Sequence, residues 1–389
     1  MSGLVSGKPL RIGLAGLGAV SRQVLDAFVQ SDGVVLGAAA DLDPRAREKF
    51  AREHDLPVFA DVEALCRSRE IDAVWIATPN ELHAAHSIIA AQNGKHVLCE
   101  KPIAVTLAEC DAMIAAAERA GVQLVAAHSK IFDTPVQAMR RLIGEGKLGR
   151  VVQMNSLMFN DWLQRPRVAA EIDTARGGGV VFRQAPHTVD ILRYLGGGMV
   201  KSVRAVTGRW DRHFATEGNF AALLMFESSA VATIGFNGYG YFEVTELTWN
   251  IGVYGDQKDP LAAAKRPRRI GATTAEDKSA NPAFPTSAPR QAKRMPFFGL
   301  TIVSCERGVI RQSPDGLYLY SDAGCEEVPV APNPERAAEL GELRDALRDG
   351  RDVFPDGRCG AATLEVCLAI IESARSGREI SLSRQVPVP

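Results

Sequence analysis

At 389 residues the chain exceeds one ordinary compact domain, so two domains are expected. Its 46% hydrophobic and 23% charged residues are ordinary for a globular protein and leave ample material for a core. A formal charge of −1 lacks the basic excess that nucleic acid or an anionic membrane surface would need as partner. The opening residues, Met1-Ser2-Gly3-Leu4-Val5-Ser6-Gly7-Lys8, lack the apolar core of a secretion signal, and no apolar run reaches membrane-spanning length. The seven cysteines (Cys66, Cys99, Cys110, Cys305, Cys325, Cys359 and Cys367) are odd in number and form no CxxC. A disulfide framework and a structural zinc site are therefore not expected, a cytoplasmic location is, and the thiols are expected to be buried.

The first third alternates short apolar runs with helical stretches, the pattern of a parallel sheet built from βαβ units. Strands are expected over 10–15, 34–40, 72–78, 96–99 and 123–127. Helices are expected over 22–29, 44–53, 83–93 and 107–120, with Asp43 placed to cap the second. Val74-Trp75-Ile76-Ala77 is apolar throughout, as a buried parallel strand should be. One doubly wound domain, 1–130, is thus expected. A second, α/β domain follows over 131–389. There 136–144 reads as helix, and 177–195 contains a helix followed by a Gly-rich stop. The stretch 200–254 reads as successive strands of period two, including 220–226 and 230–236 around a Ser228-Ser229 turn, which suggests a separate antiparallel sheet. Residues 256–296 are rich in Lys, Arg, Pro, Ala and Ser, and read either as a mobile surface excursion or as a lid or oligomer arm. Strands resume at 299, and 334–348 and 359–376 read as closing helices.

Gly16-Leu17-Gly18-Ala19-Val20-Ser21 joins the first strand to its helix, where backbone N–H groups and the helix dipole can approach a pyrophosphate. Gly16, Gly18, Ala19 and Val20 are the candidate contacts, and Ser21 stands where a third glycine is usual. Asp41 closes the second strand, where a carboxylate accepts from both ribose hydroxyls and repels a 2′-phosphate. NAD is therefore favoured over NADP, although Arg45 and Arg47 lie nearby. Ile76-Ala77-Thr78-Pro79-Asn80-Glu81-Leu82-His83 follows the third strand and Gly94-Lys95-His96-Val97-Leu98-Cys99-Glu100-Lys101-Pro102 closes the fourth. Ligands of open α/β sheets bind at the carboxyl ends of strands, so Ala77, Thr78, Asn80, His83, Glu100 and Lys101 are further candidates for the cofactor site. His128 closes the fifth strand, either as a pocket residue or as a core or loop histidine. His54, His86, His96 and His213 show no pairing that suggests a metal.

The AGxG turn, the ATPNxxH loop, GKHVLCEKP and the later GGG…H…D stretch together resemble the Gfo/Idh/MocA oxidoreductases over nearly the whole chain. The resemblance implies a nicotinamide-dependent dehydrogenase with an open, largely antiparallel second sheet that often builds a homo-oligomer, a dimer or tetramer. It also implies that Lys101 and His187 flank the substrate and that the peptide before Pro102 is cis. Either residue can be the base, since both can titrate in a closed site.

The sequence departs from the family at Gly177-Gly178-Gly179-Val180-Val181-Phe182-Arg183-Gln184-Ala185-Pro186-His187-Thr188-Val189-Asp190. Members that act on neutral polyols or sugars commonly carry Asp four residues before the His, where this chain has Arg183, expected on the same helical face as His187. A guanidinium there offers a bidentate partner to a carboxylated substrate and little to a neutral sugar. Upstream, Asp161-Trp162-Leu163-Gln164-Arg165-Pro166-Arg167 adds Arg165, Arg167 and the aromatic face of Trp162. The two stretches resemble the branch of the family that acts on carboxylated cis-dihydrodiols of the phthalate type. An inositol- or sugar-type dehydrogenase is the alternative. A non-catalytic dinucleotide-binding regulator is a second, and it would need neither Lys101 nor His187.

Overall fold

The computed structural model describes residues 8–127, 129–280, 294–331 and 335–389. These fall into two compact units, the first comprising 8–127, 129 and 335–364, the second 130–280, 294–331 and 365–389.

In the first unit β1 (Leu10–Ala15), β2 (Val34–Ala40), β3 (Val58–Phe59), β4 (Ala73–Ile76), β5 (His96–Glu100) and β6 (Leu124–Ala127) form one sheet, ordered β3-β2-β1-β4-β5-β6. All five pairings are parallel. The strands are apolar on both faces because helices cover both: every residue of β4 is buried, Trp75 included. The covering helices are α1 (Ala19–Val29), α2 (Pro44–His54), α3 (Val62–Arg67), α4 (His83–Gln92) and α5 (Leu107–Ala120). Their ends are written locally. Asp43 accepts from the Arg45 N–H with Pro44 behind it, and Thr106 and Glu109 form a capping box on α5, which stops at Gly121. Helix α1 starts at Ala19, three residues earlier than expected, because Gly18 itself is the N-cap. The helix Glu335–Asp349, expected with the second domain, belongs to the first unit: Leu340, Leu343 and Ala346 complete a core with Leu10, Leu14, Val24 and Trp75.

The second unit holds a nine-stranded sheet of β7 (Val151–Phe159), β8 (Val200–Gly208), β9 (Asn219–Phe226), β10 (Val231–Asn237), β11 (Leu300–Cys305), β12 (Gly308–Ser313), β13 (Gly316–Ser321), β14 (Gly324–Pro329) and β15 (Ile380–Ser381). The order is β14-β13-β12-β11-β7-β10-β9-β8-β15, and the β7–β10 pairing is parallel in an otherwise antiparallel sheet. Helices α6 (Thr134–Gly144) and α8 (Ala185–Gly196), the latter preceded by the short α7 (Gly179–Arg183), pack on it. Burial alternates along β9 and β10 and over much of β8, leaving side chains such as Val206 on β8 and Leu223 on β9 exposed on the open side.

The stretch after Tyr254 does not behave as a loose excursion over its described part. It forms the short helices α9 (Ala262–Lys265) and α10 (Ala275–Ala280). The Thr273 N–H donates to the Arg167 carbonyl at 2.7 Å and the Arg269 N–H to Gln164 Oε1 at 2.8 Å. Polar backbone groups docked on the 161–171 stretch, rather than apolar side chains, hold it down, which is why composition suggested a mobile segment. Six cysteines are buried as expected; Cys325, on β14, is exposed.

Candidate active site

The first unit carries a candidate dinucleotide site at the carboxyl ends of β1, β2, β4 and β5. Gly16 has φ +90°, and a Cβ on it would lie 2.9 Å from the Ala77 carbonyl oxygen, so neither its conformation nor its surroundings admit another residue. Gly18 is different. A Cβ there would meet no protein atom within 4 Å, so protein packing gives no reason for a glycine at this helix N-cap. A helix N-terminus left open in this way has the form that admits a phosphate group. Ser21, in the place of the third glycine, is buried and donates its hydroxyl to the Gly16 carbonyl, fastening the turn by a side chain instead of by close packing. Asp41 follows β2. Its Oδ2 accepts from the Leu17 N–H at 2.7 Å and its Oδ1 from the Asp43 N–H at 2.8 Å, which fixes the carboxylate beside the glycine turn. Arg47 donates to the Asp41 and Leu42 carbonyls at 2.8 and 3.0 Å, while Arg45 is exposed.

Two expected cofactor contacts have other duties here. His83 is buried, with Nε2 2.8 Å from the Thr78 carbonyl oxygen and Nδ1 2.8 Å from that of Pro102. Its ring ties the loop after β4 to the turn after β5. Beside it the Thr78 hydroxyl meets His86 Nδ1 at 2.9 Å, and burial, then the charge of His83, pushes His86 below the usual histidine range. Glu100 is also buried. Trp75 Nε1 donates to it at 3.3 Å, and Arg336, lying 5.6 Å from the Trp75 ring centroid, pairs with it. A buried carboxylate needs such a cation, so Glu100 anchors the 335–349 helix to the sheet. Asn80 is buried at the head of the turn Asn80–Leu82, and the Ala77 N–H donates to the Ala15 carbonyl at 2.9 Å. Lys101 leaves the end of β5 half-buried, and the Lys101–Pro102 peptide is cis, as the resemblance implies.

The second unit carries an arginine-rich cluster of its own. Strand β7 runs into Asn160 and Asp161, held by the Asn160 N–H on the Asn237 carbonyl and the Leu163 N–H on that of Gly238, both 2.9 Å. Trp162 is buried and does not present an open face. The Arg167 guanidinium covers its ring at 4.4 Å from the centroid and donates Nε to its carbonyl at 3.3 Å. Arg165 Nε donates to Asp161 Oδ1 at 2.6 Å, and Arg266 reaches Asp161 Oδ2 at 2.7 Å. Burial would raise the Asp161 carboxyl, but Arg165 and Arg266 outweigh it and hold it below the usual range.

Glu171 is the centre of this cluster, and nothing in the sequence marked it. Arg183 Nη2 lies 3.1 Å and Arg167 Nη1 3.6 Å from its Oε1, while Lys278 Nζ lies 2.6 Å from its Oε2. Burial alone would raise the Glu171 carboxyl; Arg183, Arg167 and Lys278 overcome it and hold it at about 2. Burial also pulls the Arg167 guanidinium down to about 9, with Arg183 and Arg165 adding to the fall against Glu171, and it stays cationic near neutrality. Because the Glu171 carboxyl is depressed, it stabilises the fold above the ordinary value of 4.5, and that stability is lost as pH falls towards 2. At about 1.4 kcal/mol per unit the contribution is on the order of 3 kcal/mol. Urea unfolding should therefore show Glu171→Gln well below wild type near neutrality, with the gap narrowing at pH about 3 or lower. A gap that stays constant with pH would mean that the charge of Glu171 is not what stabilises the cluster.

The stretch leading to His187 is two helices, not one. Helix α7 ends at Arg183, Gln184 has φ −123°, and α8 begins at Ala185 with Pro186 in its first turn. Proline has no N–H to continue the earlier helix, so Arg183 and His187 do not share one continuous helical face as expected. Gly179, at φ +80°, opens α7 and brings the Val181 N–H to Glu217 Oε1 at 3.0 Å. His187 is buried in the first turn of α8, its ring centroid 4.7 Å from that of Phe298. His128 lies outside the described residues.

Residues 10–128 match the family model described as an oxidoreductase family with an NAD-binding Rossmann fold, and 136–257 match the GFO/IDH/MocA C-terminal domain. The chain is 34% identical to 1-carboxy-3-chloro-3,4-dihydroxycyclohexa-1,5-diene dehydrogenase of Comamonas testosteroni, across 94% of this chain and 95% of that one. It belongs to the Gfo/Idh/MocA oxidoreductase family. A crystal structure from Bordetella bronchiseptica RB50 is 36% identical and superposes with a TM-score of 0.90, covering 96% of this chain and all of that one. A levoglucosan dehydrogenase complexed with NADH and levoglucosan shares the fold at 20% identity, with a TM-score of 0.75 over 96% of this chain and 99% of that one. The family member described here is thus an NAD-binding dehydrogenase. Among its described residues no helix is long and apolar enough to cross a membrane, and no group of three or more His, Cys, Asp or Glu side chains is placed to hold a metal ion.

Proposed function

We propose that this dehydrogenase oxidises a carbinol of a carboxylated, aromatic-derived cis-dihydrodiol of the phthalate type, giving the catechol, with NAD rather than NADP as acceptor. The observation that carries the reading is the Glu171 carboxylate shared by Arg183, Arg167 and Lys278, on the stretch that leads directly to His187. Gathering three cations on one carboxylate suits an anionic ligand and would be a costly way to bind a neutral sugar. The Comamonas testosteroni relative, whose name describes a carboxylated dihydroxycyclohexadiene, supports the same substrate class.

Bound NAD supplies the hydride acceptor. The chain's own residues handle the proton and the developing charge: His187 takes the hydroxyl proton as general base, and Lys101 donates to the same oxygen as it becomes alkoxide. The ketone produced from such a diol tautomerises to an aromatic catechol, which draws the reaction forward. We further propose a homo-oligomer formed through the open face of the nine-stranded sheet, where Val206 and Leu223 are exposed. A screen of NADH formation with carboxylated cis-dihydrodiols against neutral polyols tests the substrate class. Faster oxidation of a neutral polyol would overturn it.

The NAD preference rests on Asp41, whose carboxylate is held at the glycine turn. Asp41→Ala is expected to narrow or invert the NAD/NADP ratio of kcat/KM, because the charge that repels a 2′-phosphate is gone. Wild-type enzyme that already prefers NADP would contradict the assignment.

A further inference from the structure

We propose that Lys278, on the docked 256–280 segment, is a specificity-determining residue that binds the substrate carboxylate jointly with Arg183. This inference rests on the carboxylated-substrate reading above and assigns a residue from a segment whose composition alone suggested either a surface excursion or a lid or oligomer arm.

Three observations carry it. First, Glu171 is buried, with 8% of its side chain exposed, while the Arg183 and Lys278 side chains at its two oxygens keep 26% and 25% exposed. The accessible edge of the cluster is therefore cationic on both sides of a covered carboxylate. Second, the third cation is short of acceptors. Arg167 is buried on Trp162, and its Nη2 has no hydrogen-bond partner among the described residues. Third, the position of Lys278 is built. Arg266 on Asp161, the Arg269 N–H on Gln164 and the Thr273 N–H on the Arg167 carbonyl fasten the segment along the loop before Lys278 reaches Glu171 at 2.6 Å. Burial, opposed by Glu171 but reinforced by Arg167 and Arg183, also lowers the Lys278 ammonium below the usual lysine range.

The chemistry is complementary. Arg183 presents a planar fork suited to one edge of a carboxylate, and Lys278 presents a compact ammonium that can approach a remaining lone pair. Glu171 acts as a positioning residue that holds the two cations at a fixed spacing. A role for Lys278 confined to fastening the segment would affect charged and uncharged substrates alike.

The test compares wild type, Lys278→Met and Lys278→Arg on a carboxylated cis-dihydrodiol and on its decarboxylated analogue, with the Kd of the carboxylated catechol measured by calorimetry as a readout independent of turnover. Lys278→Met is expected to lower the preference for the carboxylated diol at least about tenfold, mainly through KM, and to weaken the catechol Kd similarly. Lys278→Arg should recover most of both. An unchanged preference and Kd in Lys278→Met, or equal losses on the two diols, would overturn the assignment to Lys278 while leaving the substrate class standing. A wild-type enzyme with no preference for the carboxylated diol would overturn both.

Discussion

His187→Ala and Lys101→Ala are each expected to lose at least about two orders of magnitude in kcat while still binding NADH. Positioned general acid–base groups contribute roughly 10²–10⁴-fold, and a donor aimed at a developing oxyanion contributes about as much. His187 is buried against Phe298, so truncation also removes packing. The pH profile separates the two effects. Loss of a base removes one limb of the kcat/KM profile, whereas loss of packing lowers stability and leaves the limb in place. Near-normal turnover by either variant, seen in NADH absorbance at saturating substrate, would remove that residue from the mechanism.

Arg183→Ala carries the second large effect and decides the substrate class. Truncating one partner of a hydrogen-bonded charge pair costs roughly 2–5 kcal/mol. The lower end applies here because the Arg183 side chain is 26% exposed. At about 1.4 kcal/mol per tenfold, kcat/KM for a carboxylated diol should fall roughly 30-fold or more. The decarboxylated analogue should lose much less, since it leaves no anion unpaired. Lys at this position should restore charge but not the bidentate fork, and should recover only part of the loss. Equal losses on both substrates would mean that Arg183 serves only to hold Glu171.

Legibility in the sequence followed the range of the interactions. The Rossmann strands and α5 were readable because their signals are local: an apolar run such as Ala73–Ile76, a Thr106–Glu109 capping box, a Gly121 stop. β3 and α3 were missed because two and six residues are too short for any periodicity to register. The break between Arg183 and His187 was signalled by Pro186, yet the spacing of four residues suggested one helix. The arginines of the site were visible as residue types beside a motif. Their arrangement was not. Glu171 meets Arg183 across 12 positions and Lys278 across 107, and Arg336 meets Glu100 across 236, separations at which spacing carries no information. The same limit explains Trp162 and Glu100, whose types suggested ligand contacts and whose long-range or cluster partners instead bury them.

The most direct measurement of the central claim is the initial rate of NADH formation on a carboxylated cis-dihydrodiol and on the same diol lacking the carboxylate, compared as kcat/KM in one buffer. The account predicts a preference of roughly 30-fold or more for the carboxylated diol, the worth of about 2 kcal/mol of charge-assisted binding at Arg183 and its neighbours. Equal efficiency on the two diols, or a neutral inositol or sugar oxidised faster than either, would contradict it.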